Sequence, residues 1–238
     1  MSLITVSERD YNESNLYYVK DALNDVLIGT GSICEIKRAG GRSVFTLNCP
    51  NEYYETVRAE VADKLAEVVA INYKNEYFKG KIATTGLTEE ERQILLAGII
   101  AADLDDDKKY AFDKIKNHDE VALDGVYNFR MQPLKKKWAE IIGYIPSGFP
   151  NEGLKDFITF LLENRKKRVY VDCGKVYDSH FRRLKKSTLL GGELSVLKEV
   201  LLSGCGEIEL YGKLPETDEK YIKSFYADRI FFSPGYFC

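Results

Sequence analysis

The sequence has little of what most often marks an active site. Only two histidines, His118 and His180, occur in 238 residues, with no paired spacing, which disfavours a zinc enzyme. The five cysteines, Cys34, Cys49, Cys173, Cys205 and Cys238, are odd in number, scattered, and never form C-x-x-C or another ligand-like spacing. They read as small buried apolar residues of a reducing compartment, with Cys238 as a terminal thiol open to solvent. No apolar run approaches the roughly 20 residues that cross a bilayer; the longest, Ile94 to Ala102, is less than half of that. The start, "MSLITVSERDYNES", has no basic leader followed by an apolar core, so a cytoplasmic protein without a membrane partner is expected. There is no fixed-period repeat, no low-complexity segment and no reaction motif, and neither a cofactor nor a metal is expected.

What is present is ordinary material for a globular core: 45% hydrophobic and 30% charged residues, enough to fold without disulfide or metal staples. The net charge of -3 hides an uneven distribution. From Arg130 to Lys186 fourteen basic residues stand against six acidic ones, whereas Asp103 to Asp124 is acidic. Such asymmetry bears on partners more than the total does.

Hydrophobic periodicity orders the chain. "LITVSE" reads as a strand, and Leu16, Val19, Leu23, Val26 and Leu27 follow at helical spacing behind Asn12 or Ser14 as a cap. Two alternating runs flank Ala39-Gly40-Gly41, a hairpin signal; Val57, Val61, Leu65, Val68, Val69 and Ile71 then mark one buried helical face. The middle changes character. Thr88 and Glu91 form a capping box before a mostly apolar run, with shorter helices expected around Lys108 to Ile115, Leu134 to Ile142 and Gly153 to Leu162. The end returns to alternation: "RVYVD" and "KVYD", then strands "EIELYG" and "RIFFS" separated by helices, the last pair expected to be parallel.

The densest cluster of reactive residue types is "RVYVDCGKVYDSHFRRLKK", Arg168 to Lys186. Alternation puts Cys173 on one face with Val169 and Val171, Gly174 supplies a positive φ for a tight turn, and Lys175 falls opposite Asp172. A Cys-His nucleophile would need Cys173 and His180 within hydrogen-bond reach, yet they lie at opposite ends of this hairpin. His180 reads as a polar residue leaving the strand, and His118 as a cap or solvated side chain. "IGTGS" and "SGCGE" follow helices instead of preceding them, so they read as helix stops and not as phosphate loops. The acidic run from Asp103 lacks the glycine and glutamate of a calcium loop and reads as a solvated linker or helix start.

The C-terminal third resembles the YtxC-type sporulation proteins. The resemblance is carried by "VYNFRMQPLKKKW" (Val126 to Trp138), a helix like "LKDFITFLL" leading into "RVYVD" and its hairpin, "LKEVLLSGCGEIELYG", and "RIFFSPGYF". The β-α-β-β-α start and acidic helical middle fit the same plan, with a shorter stretch between Tyr144 and Asn151 than that plan has. It implies a cytoplasmic protein of endospore-forming bacteria and transfers no catalytic or ligand residue to any position.

The expected fold class is α+β, with mixed β-sheet units at both ends of the chain (β-α-β-β-α and ββαβαβ) around a helical middle. The segments are 1–86, 87–165 and 166–238; no flexible polar linker separates them, so they are equally compatible with one domain, and the two sets of strands are free to join one mixed sheet. The first functional expectation is a non-enzymatic interaction module associated with sporulation, binding an unknown protein partner or a second copy of itself. The second is nucleic-acid binding through a basic surface made of Lys135, Lys136, Lys137, Arg165, Lys166, Lys167, Arg168, Arg182, Arg183, Lys185 and Lys186, with Tyr170, Tyr177 and Phe181 as stacking groups. The third is an enzyme with a site near Asp172, Cys173, Asp178 and His180.

Overall fold

The structure, a computed structural model, describes residues 1–82 and 84–233. The elements begin with β1 (Ser2–Arg9), α1 (Ser14–Ala22), α2 (Asn24–Thr30), β2 (Ile33–Ala39), β3 (Arg42–Cys49), α3 (Tyr54–Val68) and α4 (Lys74–Lys79). They continue with α5 (Glu89–Ala102), α6 (Leu104–Ile115), β4 (Glu120–Ala122), α7 (Leu123–Arg130), α8 (Gln132–Tyr144) and α9 (Asn151–Leu162). The last third holds β5 (Lys167–Asp172), β6 (Lys175–Tyr177), α10 (Ser195–Leu202), β7 (Cys205–Leu210), α11 (Glu216–Tyr226) and β8 (Ile230–Phe232). This is an α+β protein, with a mixed sheet towards each end of the chain and helices between.

Two compact units divide the chain. The first comprises Met1–Glu76 and Leu104–Ile141. Its sheet has the order β2-β3-β1-β4, with β1 antiparallel to β3 and parallel to β4. Period-two alternation buries Ile4 and Val6 of β1 and Phe45, Leu47 and Cys49 of β3, while α1 and α3 add Leu16, Val19, Val57, Val61 and Leu65 to the same unit's core. Each such side chain contributes about 1.5–3 kcal/mol of transfer free energy. The β2–β3 turn uses Gly40 and Gly41 at φ 61 and 76, the backbone that a two-residue hairpin requires. Between α3 and α4 the helix passes through one π-type turn, Val69–Tyr73.

The second unit comprises Tyr77–Asp103 and Ile142–Cys238. Its sheet has the order β6-β5-β7-β8: an antiparallel hairpin, then two parallel pairings. Val169, Val171, Ile208 and Leu210 turn one face of that sheet to the core, and α10 and α11 supply Val196, Leu197, Val200 and Ile222. The capping box of Thr88 and Glu91 is formed at the start of α5. Asp218 accepts the Leu197 backbone N–H at 2.8 Å in the first turn of α10. The parallel pairing of β7 with β8 across α11 matches the strand-helix-strand reading.

Among the described residues the strands form two four-stranded sheets, in keeping with a mixed β-sheet unit towards each end of the chain. The details depart from the sequence pattern in three places. The helical middle is shared out, with 104–141 in the first unit and 77–103 and 142–165 in the second, so the units cut across the segments 1–86, 87–165 and 166–238. The helix expected through Leu27 breaks at Leu23, with ψ -4, and a 3-10 turn over Asp10–Asn12 runs straight into α1. Neither Asn12 nor Ser14 caps it; Glu13 holds that position, and its carboxylate reaches Arg38 and Ser43. Finally, β4 has a single buried residue, Val121, too little to show any alternation. Among the described residues no helix is long and apolar enough to cross a membrane.

Candidate binding face of the second sheet

The sequence concentrates reactive residue types around the β5–β6 hairpin, and its register is the one the pattern predicts: Tyr170 opposite Tyr177, Val171 opposite Val176, Asp172 opposite Lys175. Cys173 departs from expectation. It does not join Val169 and Val171 in the core but stands exposed, at φ 46, with Gly174 at φ 73. The strand ends at Asp172 because a two-residue turn between twisted strands needs positive φ at both central positions, and the first falls on Cys173. The other described cysteines follow expectation more closely: Cys49 and Cys205 are buried and Cys34 is half-buried. Cys238 lies outside the described residues.

Asp178 and His180 organise the chain after β6. The Asp178 carboxylate accepts the backbone N–H groups of His180 (2.8 Å) and Arg182 (3.0 Å) and pairs with the Arg182 guanidinium at 2.8 Å. Desolvation opposes its charge, but these donors together outweigh burial and hold its pKa below the ordinary aspartate value. What His180 contributes here is its backbone. This Asx-type clamp folds the loop back, with Leu184 donating to the Val176 carbonyl, and sets Phe181, at φ 58, against the sheet.

The result is an aromatic row on the face opposite α10 and α11. Register places Tyr177, Tyr170, Glu209 and Phe231 side by side on β6, β5, β7 and β8. The Phe181 ring lies 4.8 Å from that of Tyr170, and Tyr211 lies 6.3 Å from Tyr170 on another side. Arg168 crosses the row: it pairs with Glu207 at 2.7 Å and Glu209 at 3.2 Å while its guanidinium sits 4.5 Å from the centre of the Phe231 ring. The Tyr211 hydroxyl donates to Glu209 at 2.6 Å, joined by Ser233 at 2.7 Å. Tyr211 first, then Ser233 and Arg168, hold the Glu209 carboxyl below its ordinary range. The ion pairs hold Arg168, Glu207 and Glu209 in mutual orientation, with Phe181 51% and Phe231 41% exposed beside them.

The eleven basic residues are shared between the two units, and several are engaged by partners. Lys135, Lys136 and Lys137 belong to the first unit and the other eight to the second. Lys137 pairs with Asp107 at 2.7 Å, and Lys135 sits 3.8 Å from the centre of the Tyr127 ring. Arg165 is half-buried and donates to the carbonyls of Ala101 (2.9 Å) and Leu201 (3.2 Å), a structural role. Arg168 and Arg182 are engaged by Glu207, Glu209 and Asp178 as described. The backbone N–H of Lys186 is held by the buried carboxylate of Glu199 at 3.0 Å. Lys136, Lys166, Lys167 and Arg183 have exposed side chains. The other histidine, His118, accepts from Arg130, in keeping with a turn residue.

Sequence reasoning passed over two buried sites. In the first unit Asp107 is fully buried and receives Lys74 at 2.7 Å, Lys137 at 2.7 Å and the Trp138 indole N–H at 2.8 Å. In the second, Lys198 is 3% exposed and donates to Gln93 (2.6 Å) and the Gly191 carbonyl (2.8 Å); burial pulls its pKa down to about 8. Among the described residues no group of three or more His, Cys, Asp or Glu side chains is placed to hold a metal. No family model, curated protein or solved structure shows significant similarity to this chain.

Proposed function

We propose that the protein is a non-enzymatic interaction module whose binding surface is the outer face of the second sheet, and that it serves in endospore formation, as the resemblance to the YtxC-type sporulation proteins suggests. The observation that carries this reading is the aromatic row Tyr177, Tyr170 and Phe231 with Phe181 and Tyr211, crossed by Arg168 between the carboxylates of Glu207 and Glu209. Aromatic residues and arginine are the side chains that dominate protein interfaces: rings bury much area for little lost rotamer freedom, and arginine adds a planar set of donors that stacks on rings. One guanidinium between two carboxylates favours a protein partner over a polyanion: a complementary surface has to match both Arg168 and its carboxylates, which gives orientation more than raw affinity.

A second reading has its own support. Rings spaced like a stacking platform, with exposed Lys166, Lys167 and Arg183 in the same unit, are what a single-stranded nucleic acid would use. One experiment separates the two: affinity capture from the cells that make the protein, run beside fluorescence anisotropy with labelled single-stranded DNA and RNA over a salt series. Wild type is compared with Phe181→Ala/Phe231→Ala, which changes only exposed rings. The interaction reading expects a protein retained by wild type and lost by the variant, with no salt-dependent binding of nucleic acid. Salt-dependent anisotropy lost in the variant puts the second reading first, and a partner held equally by both proteins removes this face from the account.

A further inference from the structure

The first unit's sheet ends on β2, whose open side the reading above does not use. β2 is seven residues long, ends the order β2-β3-β1-β4, and exposes five of its seven residues. Natural edge strands are usually shortened, bulged, interrupted by proline or studded with charge to prevent pairing with another chain. β2 keeps unbroken register with β3 from Ile33↔Asn48 to Ala39↔Arg42 and contains no proline; it does carry charge, but of both signs, Glu35 against Lys37 and Arg38, which repels some registers and suits another.

The hairpin decides which backbone groups face outward. A two-residue turn at Gly40-Gly41 is flanked by a hydrogen-bonded pair, here Ala39 and Arg42. Alternation then turns the N–H and C=O groups of Lys37, Glu35 and Ile33 towards β3 and those of Cys34, Ile36 and Arg38 away from it. A second antiparallel strand can bond only to that outward set.

The charges select one register. With a two-fold axis at Ile36, Ile36 meets its own copy, Cys34 meets Arg38, and Glu35 meets Lys37 twice. Moving the axis to Glu35 sets glutamate against glutamate, and moving it to Lys37 sets lysine against lysine, both unfavourable as directly opposed pairs. Arg38 is held by Glu13 of its own copy and brings no uncompensated charge to the contact. The half-buried Ile36 lies opposite Phe45 on β3, so the axis adds an apolar contact on the core side. We propose that a second copy of this chain docks on β2 through this register, joining two four-stranded sheets into one of eight strands about a dyad at Ile36. The contact is isologous and therefore closes at two copies.

The test is sedimentation velocity of the full chain across the micromolar range, with wild type, Glu35→Lys, Lys37→Glu and the double reversal. Side chains of Lys37 and Glu35 are 70% and 53% exposed, so these changes leave the fold intact, which circular dichroism verifies. A wild-type dimer is expected. Each single reversal should weaken it at least about tenfold, since symmetry enters the like-charge contact twice. The double reversal, which restores opposite charges in this register alone, should recover it. A monomeric wild type, a dimer indifferent to the single changes, or a double reversal that fails to recover association each overturns the proposal.

Discussion

Lys74 and Asp107 are both fully buried and meet at 2.7 Å, with the Lys74 ammonium also 5.8 Å from the centre of the Trp138 ring. Removing one member of such a pair takes from the other its ion-pair partner inside the protein, which costs about 3–5 kcal/mol. Asp107→Leu should lower unfolding free energy by that amount in a urea titration, and Lys74→Met/Asp107→Leu should recover at least half of it. Lys137, 39% exposed, can swing to water, while the Trp138 N–H loses Asp107 as its acceptor. Equal losses for single and double variants would contradict the pair's role. The acidic run around Asp107 reads as solvated, and for Asp105 and Asp106 it is. Asp107 turns inward because Leu104, Asp107 and Ala111 share one face of α6. Its partner Lys74 is 33 positions away, a separation local pattern cannot bridge.

At the scale of elements, the hairpin of the candidate face was legible because its register depends on a turn and on alternation, both local. The rest of the face was not. Glu209 reaches Tyr170 and Phe231 through parallel pairings, which link residues far apart in sequence. The reading of "SGCGE" as a helix stop holds for Gly204, at φ 68 after α10. Gly206 has a different reason to be glycine. A Cβ there would lie 1.8 Å from the Arg165 carbonyl oxygen, close to the register shift between Lys167 and Arg168. Backbone cannot yield as a flexible side chain does, so Gly206→Ala should cost more than about 2 kcal/mol and disturb the β5–β7 pairing. Gly29→Ala, with open space around its Cβ, is the control, and thermal unfolding compares them. Equal midpoints for the two variants would mean that the close approach relaxes at little cost.

For the whole molecule, the fold class was readable from the order of alternating and helical segments, whereas the grouping of those segments was not. Residues 104–141 return to the first unit after an excursion through the second, and only contacts between distant segments reveal it. The basic stretch is divided by the same partition: Lys135 to Lys137 fall in the first unit and the rest in the second, with Lys137, Arg168 and Arg182 each held by a carboxylate. The face proposed for binding is the aromatic outer face of the second sheet. The most direct measurement is site-specific photo-crosslinking in the cells that express the protein, with the photoreactive amino acid at Phe181 and, as control, at Tyr11, which is 75% exposed in the first unit. The account predicts a discrete protein adduct from position 181, abolished by Phe231→Ala and absent from position 11. The same adducts from both positions, or none from 181, would contradict it.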